Sequence, residues 1–298
     1  MQVRIGDLVL KNPVITASGT FGYGLEFDEF MDLSSLGAVT IKSVSLEPRQ
    51  GNRPPRLVET ASGMLNAIGL QNPGVQAVID EKLPELAAHG MPVIVNLVGE
   101  SIDEYVQLAE RLSACAEVSA LELNISCPNV GDGMYFSTSA DMTAQLVSAV
   151  REVTDLPLIT KLSPNVTDIA QIAVAAQDAG SDALSLINTL VGMSIDIETQ
   201  RPHLGNITGG LSGPAIKPVA LRCVWEVYEA VEVPLVGMGG IMSTDDAVEF
   251  MLAGATAIAV GTANFVNPAT SADIVRGLQK YAADRGLSKI SELTGAAH

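Results

Sequence analysis

Cysteine is scarce in this chain: three in 298 residues, Cys115, Cys127 and Cys223, with no CxxC pair among them. So few and so scattered a set argues against a disulfide framework, a self-contained zinc site or an iron–sulfur cluster, and no metal site is expected. Reduced thiols fit an oxidant-poor compartment. Basic residues are also few, 17 Lys and Arg against 34 Asp and Glu, and a net charge of −17 would repel a phosphate backbone. Nucleic acid is therefore not an expected partner. No apolar run approaches the ~20 residues of a membrane span, and no membrane association is expected. The opening MQVRIGDLVLKNPV has charges and a Gly-Asp turn where a signal peptide needs an unbroken apolar stretch, so the expected location is cytoplasmic. A dinucleotide fingerprint is missing too, since GTFGYG departs from the G-x-G-x-x-G order.

What is present is a composition of 47% hydrophobic and only 17% charged residues, that of a chain which buries much of itself. Short runs rich in Val, Ile and Leu recur eight times, as PVITASG, AVTIKSV, PVIVNLV, ALELNIS, PLITKLS, ALSLINT, PLVGMGG and AIAVGTA. Between them lie segments with helical spacing of apolar residues, such as Asp103 to Cys115, Asp168 to Ala179 and Asp245 to Leu252. This alternation predicts the α/β class and a (β/α)8 TIM barrel, one domain over residues 1–298. VRIGDLVL reads as an N-terminal hairpin that plugs the far end. Two stretches exceed an ordinary βα connection: SLEPRQGNRPPRLVETASGMLNAIGLQNPG after the second run, and LVGMSIDIETQRPHLGNITGGLSGP after the sixth. Both are expected as inserted loops at the C-terminal mouth.

In such a barrel the chemistry lies at the carboxyl ends of the strands. The ends of the runs give Ser18, Lys42 with Ser43, Asn96, Asn124 with Cys127, Lys161, Asn188 with Thr189, Gly239 with Gly240, and Gly261 with Thr262. Turn residues and caps account for some of these, but not for two lysines and three asparagines at one rim. The glycines close the seventh and eighth runs, where phosphates commonly bind, and Ser243 reads as the N-cap of the helix that follows. Lys42 and Lys161 can meet only inside a closed barrel, where a buried ammonium needs an acceptor: a ligand, or a carboxylate, of which Glu122 is the nearest candidate. Asn66, Asn124, Asn129 and Asn188 each fit a turn taken singly; together with a lysine they suit a small planar amide-bearing acid. Cys115 and Cys223 read as core thiols in helices. Cys127, at a strand end before Pro128, reads as a proton acceptor, because a thiol near pKa 8.5 supplies some thiolate at neutral pH.

The set NISCPN, TIKS, NAIGLQNPG, ITKLSPN, INT, GMGG and VGT resembles the class 1 dihydroorotate dehydrogenases over essentially the whole chain, and GNRPPRLVETASGMLNAIGLQNPG resembles their B form most. The resemblance implies FMN at the barrel mouth and oxidation of (S)-dihydroorotate to orotate in de novo pyrimidine (UMP) biosynthesis. Carried over by position, Ser18, Lys42, Ser43, Asn96, Asn124, Lys161, Ile187, Gly213, Gly239, Gly240, Gly261 and Thr262 would hold FMN. Lys42, Asn66, Ala67, Ile68, Gly69, Leu70, Asn124, Asn129, Asn188 and Thr189 would face the substrate. Cys127 would be the base, with Lys161 stabilising charge on the reduced flavin. The B-type resemblance further implies NAD+ as acceptor, reached through a partner subunit carrying FAD and [2Fe–2S], in a heterotetramer of two catalytic and two partner subunits. The alternatives are the fumarate-dependent A-type homodimer and a non-catalytic FMN-binding electron-transfer subunit.

Overall fold

A computed structural model describes residues 1–126 and 136–298. All eight apolar runs contain a strand of one parallel sheet: Val14–Thr16, Val39–Val44, Val93–Leu97, Ala120–Asn124, Leu158–Lys161, Ala183–Leu186, Leu235–Met238 and Ala255–Val260, numbered one to eight below. Their side chains are buried almost throughout, as expected when helices cover the outer face and packed side chains fill the inner one. Neighbours in the sheet are neighbours in sequence, and the eighth strand pairs with the first.

The last seam, between the first and second strands, closes differently. Backbone contact there is the single bridge Ile15 to Ala38, with the Gly37 N–H donating to Val14 O at 2.8 Å. A buried hydroxyl supplies the rest: Thr16 Oγ1 accepts from the Thr40 N–H at 3.0 Å and donates to Thr40 O at 3.3 Å. Thr16 thus replaces ladder bonds that the strands' stagger leaves unmade.

The helices stop and start where caps allow. Ser101, Ser139, Asp168 and Ser243 each accept a first-turn N–H, ahead of the helices Ile102–Ser113, Ala140–Arg151, Ile169–Asp178 and Thr244–Leu252. At the last of these, Ser243 and Asp246 form a reciprocal capping box. Cys223 is buried within helix Lys217–Ala230, whereas Cys115, expected at the end of a helix, lies two residues past the observed helix Ile102–Ser113 and is half-buried. The hairpin Val3–Ile5 and Leu8–Leu10 packs at the amino-terminal end, where Gly6 abuts Asp182, the residue before the sixth strand.

The two long insertions carry strands as well as loop. The first supplies strands Leu57–Thr60 and Gly63–Asn66, the second Leu190–Met193 and Thr208–Ser212, and the four join in one antiparallel sheet. The two insertions meet through Gly63–Asn66 and Thr208–Ser212, where Asn66 lies opposite Gly210. A further two-residue pair, Ile195–Asp196 with Arg201–Pro202, extends the second insertion.

Candidate active site

The rim at the seventh and eighth strands is made of backbone. Gly213, Gly239 and Gly240 have φ of 95, 124 and 81°, the left-handed region that side chains disfavour. Space excludes a side chain as well. A Cβ on Gly240 would lie 2.8 Å from Lys217 Cβ and 2.9 Å from Gly213 O, and one on Gly213 would lie 2.7 Å from Gly63 Cα. Gly239 borders Ile187, and Gly261 borders Ala17, next to Ser18. Among the described residues, the N–H groups of Gly239, Gly240 and Gly261 have no hydrogen-bond acceptor. Unpaired N–H groups at neighbouring strand ends, at Gly239 and Gly240 where no side chain fits, suit an anion cradle. Thr262 lies beside it, its hydroxyl donating to Ser212 Oγ at 2.8 Å.

The cradle has a brace. Asp246 accepts from the Met242 N–H at 2.9 Å, the Ser243 N–H at 3.0 Å and Lys217 Nζ at 2.6 Å, and Lys217 also reaches Glu249 at 3.0 Å. Burial pushes the Asp246 carboxyl up, but the Lys217 and loop hydrogen bonds outweigh it and hold the group below its ordinary value. Lys217 is raised in turn, first by its bond to Asp246 and then by that to Glu249.

Across the mouth the site is made of side chains. In the second strand the pairing register shifts between Ile41 and Val44, so that the Lys42 N–H leaves the ladder and donates to Gly22 O at 2.7 Å. Such a bulge re-aims a side chain. Lys42 is pushed below the usual lysine value, first by burial and then by repulsion from Lys161. The two lysines thus lie near enough inside the barrel for their charges to repel. Lys161 is 5% exposed and its Nζ lies 4.0 Å from Glu122 Oε2, with no hydrogen bond among the described residues. Asn96 Nδ2 donates to the same Oε2 at 2.5 Å, which leaves Asn96 Oδ1 buried without a partner among the described residues. A buried orphan acceptor, a buried ammonium with free N–H groups and an anion cradle together fit a polar planar ring carrying a phosphate tail, as FMN does.

Asn124 and Asn188, in register terms far apart, touch: Asn188 Nδ2 donates to Asn124 Oδ1 at 3.3 Å and to Ser126 Oγ at 3.0 Å. The Thr189 N–H donates to Asn188 Oδ1 at 2.8 Å, which fixes that amide at both ends. Tyr105 Oη donates to Asn124 O at 2.6 Å and anchors the strand end from behind. Ser18 and Ser43 are buried at the ends of the first two strands. Asn66 sits on the inserted sheet with its Nδ2 donating to Gly210 O at 3.2 Å, and Thr189 packs against Gly210. The segment through Ala67, Ile68, Gly69 and Leu70 is pinned by Asn52, which donates to Ala67 O at 3.0 Å, and by Asn72, which donates to Leu70 O at 2.9 Å. Among the described residues no hydrogen bond joins this segment to Asn124 or Asn188. Cys127 and Asn129 lie outside the described residues.

Sequence reasoning missed Ser126, Tyr105, Asn52, Asn72 and Asp246. For Asp246 the capping-box spacing after Ser243 was a usable signal. Tyr105 had a weaker one, a phenol on the apolar face of a helix, which needs a buried partner.

A barrel whose mouth pairs a backbone anion cradle with buried cations and oriented amides is built for a phosphate-bearing cofactor and a small polar substrate. The family described as Dihydroorotate dehydrogenase matches residues 1–281, and the chain belongs to that family. Curated relatives agree along nearly their full length. A protein of Desulforudis audaxviator named "Dihydroorotate dehydrogenase B (NAD(+)), catalytic subunit" is 58% identical over 297 residues, 99% of this chain and 97% of that one. Proteins with the same name are 58% identical in Trichlorobacter lovleyi, covering 99% and 98% of the two chains, and 57% identical in Geotalea daltonii, covering 99% and 97%.

Proposed function

We propose that this chain oxidises (S)-dihydroorotate to orotate in pyrimidine biosynthesis, with FMN bound in the barrel mouth, as one domain spanning residues 1–298. The observation that carries the reading is the pairing of the Gly213, Gly239 and Gly240 cradle with the orphan Asn96 Oδ1 and the Lys161 ammonium. The relatives' names supply the substrate. A continuous core that includes both Val3 and Leu293 supports a single domain.

FMN when bound supplies a two-electron acceptor for the hydride. The chain's own residues do the rest. The cradle N–H groups, with Thr262, would hold the phosphate. Asn96, Ser18, Ser43 and Ile187 would hold the ring, and Lys161 would supply a fixed cation where negative charge develops. Asn124, Asn129, Asn188, Thr189 and the segment from Asn66 to Leu70 orient the substrate, and Lys42 attracts its anionic group. Cys127 removes the proton from one carbon while the hydride leaves its neighbour. Its place directly after Ser126, whose hydroxyl is already tied to Asn188, supports that role.

The acceptor reading is that electrons pass through a partner subunit with FAD and [2Fe–2S] to NAD+, in a cytoplasmic heterotetramer of two catalytic and two partner subunits. The relatives are named as catalytic subunits for NAD(+), and the inserted sheet and its extension expose Val191, Met193, Ile195, Ile197 and Ile207, an apolar surface of the kind that other proteins cover. Among the described residues no helix is long and apolar enough to cross a membrane. Purified chain should be yellow and should bleach anaerobically with dihydroorotate; FMN-loaded chain that stays yellow would overturn the reading. NAD+ reduction should require co-purifying protein, and rapid reoxidation by fumarate would move the chain to the A form.

A further inference from the structure

The site leaves one charged group without a task. Glu122, in the middle of the fourth strand, is 3% exposed. Both of its carboxylate oxygens accept hydrogen bonds, Oε1 from Ser185 Oγ at 2.7 Å and Oε2 from Asn96 Nδ2 at 2.5 Å. Its donors come from the third and sixth strands, on either side of the strand that carries Glu122 and the one that carries Lys161. They are neutral, and they hold the carboxylate 4.0 Å from Lys161 Nζ, short of a direct hydrogen-bonded pair.

That distance is what distinguishes this ion pair from a hydrogen-bonded one. A carboxylate at hydrogen-bond distance would occupy the ammonium's N–H groups, whereas at 4.0 Å it acts through charge alone and leaves those donors for a ligand. In a water-poor interior the charge still matters. Lys161 and Lys42 both favour added negative charge at the mouth, and Glu122 opposes it.

We infer that Glu122 is a fixed counter-charge, a positioning residue beside Lys161 and Asn96 whose own negative charge lowers the ease with which the bound flavin is reduced. The inference rests on the proposed FMN site. It explains why a buried anion stands beneath a site built for anions: without it the mouth would hold reduced cofactor too firmly to pass electrons onward. Glu122 also sets the orientation of the Asn96 amide, since its carboxylate demands the Nδ2 donor and so leaves Oδ1 without a partner among the described residues.

The test is a spectroelectrochemical titration of FMN-loaded protein, read as the reduced-to-oxidised ratio at a fixed potential. Glu122→Gln, which removes the charge and keeps the shape, should raise that ratio about tenfold, a midpoint shift of about +30 mV for a two-electron couple. Ser185→Ala, which removes a donor and keeps the charge, should stay within about threefold of the wild type on the same scale. An unchanged or lowered ratio in Glu122→Gln overturns the inference, as does an equal shift in Ser185→Ala. If Glu122→Gln does not fold, Lys161→Gln is compared with Lys161→Gln/Glu122→Gln, and the double variant must be the more readily reduced. Failure of the FMN reading is seen separately, as wild-type chain that binds no FMN or does not bleach with dihydroorotate.

Discussion

The two sides of the barrel mouth are built by opposite means. At the seventh and eighth strands the groups that would meet a ligand are backbone N–H groups, and Gly213, Gly239 and Gly240 contribute by having no side chain. At the third to sixth strands the working groups are side chains, Asn96, Glu122, Lys161 and Ser185, interlocked by hydrogen bonds and charge. The first side suits a ligand part that is the same in every turnover, a phosphate tail. The second suits a part whose charge changes during the reaction, because side chains can be chosen for charge and protons can move among them. The difference teaches that grip and chemistry are separable here.

Variants should divide along that line. The largest effect belongs to the chemical side: Cys127→Ala should slow flavin reduction near neutral pH by roughly 10²–10⁴-fold while FMN stays bound, read by anaerobic stopped-flow absorbance. A retained rate would assign the proton elsewhere. On the grip side, Gly240→Ala places a Cβ against Lys217 and Gly213, and the strain should weaken FMN by roughly ten- to hundredfold. Riboflavin, which lacks the phosphate, should lose much less; equal losses in a fluorescence titration would merge the two sides. Asn188→Ala should weaken orotate by about 1 kcal/mol, roughly fivefold, without moving FMN affinity.

The smallest effect is a pH dependence. Lys42 is held below its ordinary value by burial and then by Lys161. Between that lowered value and 10.5 the folded, ligand-free state binds fewer protons than the unfolded chain, so stability should rise with pH across this window. Orotate binding favours the charged lysine and should run the other way, weakening as pH rises through the lowered value. Calorimetric titration across pH should show this in the wild type and lose it in Lys42→Met.

The barrel was legible because its signal is local. Val, Ile and Leu runs buried on both faces mark strands, and Ser or Asp before an apolar-periodic segment marks a helix start, as at Ser243. The insertions were not, because their pairing joins Asn66 to Gly210 across most of the barrel, and glycine-rich strands such as Thr208–Ser212 carry little alternation. Among the rim residues, sequence order put Lys42 and Lys161 at strand ends of one mouth, and Lys161 is one of the causes that lower Lys42. What it could not place was hydrogen-bond direction: that Asn96 donates to Glu122, or that Asn188 is tied to Asn124, depends on strands brought together by closure.

The sheet formed by the two insertions has a consequence for how such a scaffold can be re-tooled. Asn66 hangs from one insertion and hydrogen-bonds Gly210 of the other, while Thr189, at the root of the second, packs on that same glycine. Exchanging either segment alone, as in a loop graft from a relative with another substrate, would leave a strand edge with unmatched N–H and C=O groups and shift the arm that the partner segment holds. The two stretches form one transplantable cassette encoded in two places, and a graft that moves both should carry substrate preference with it.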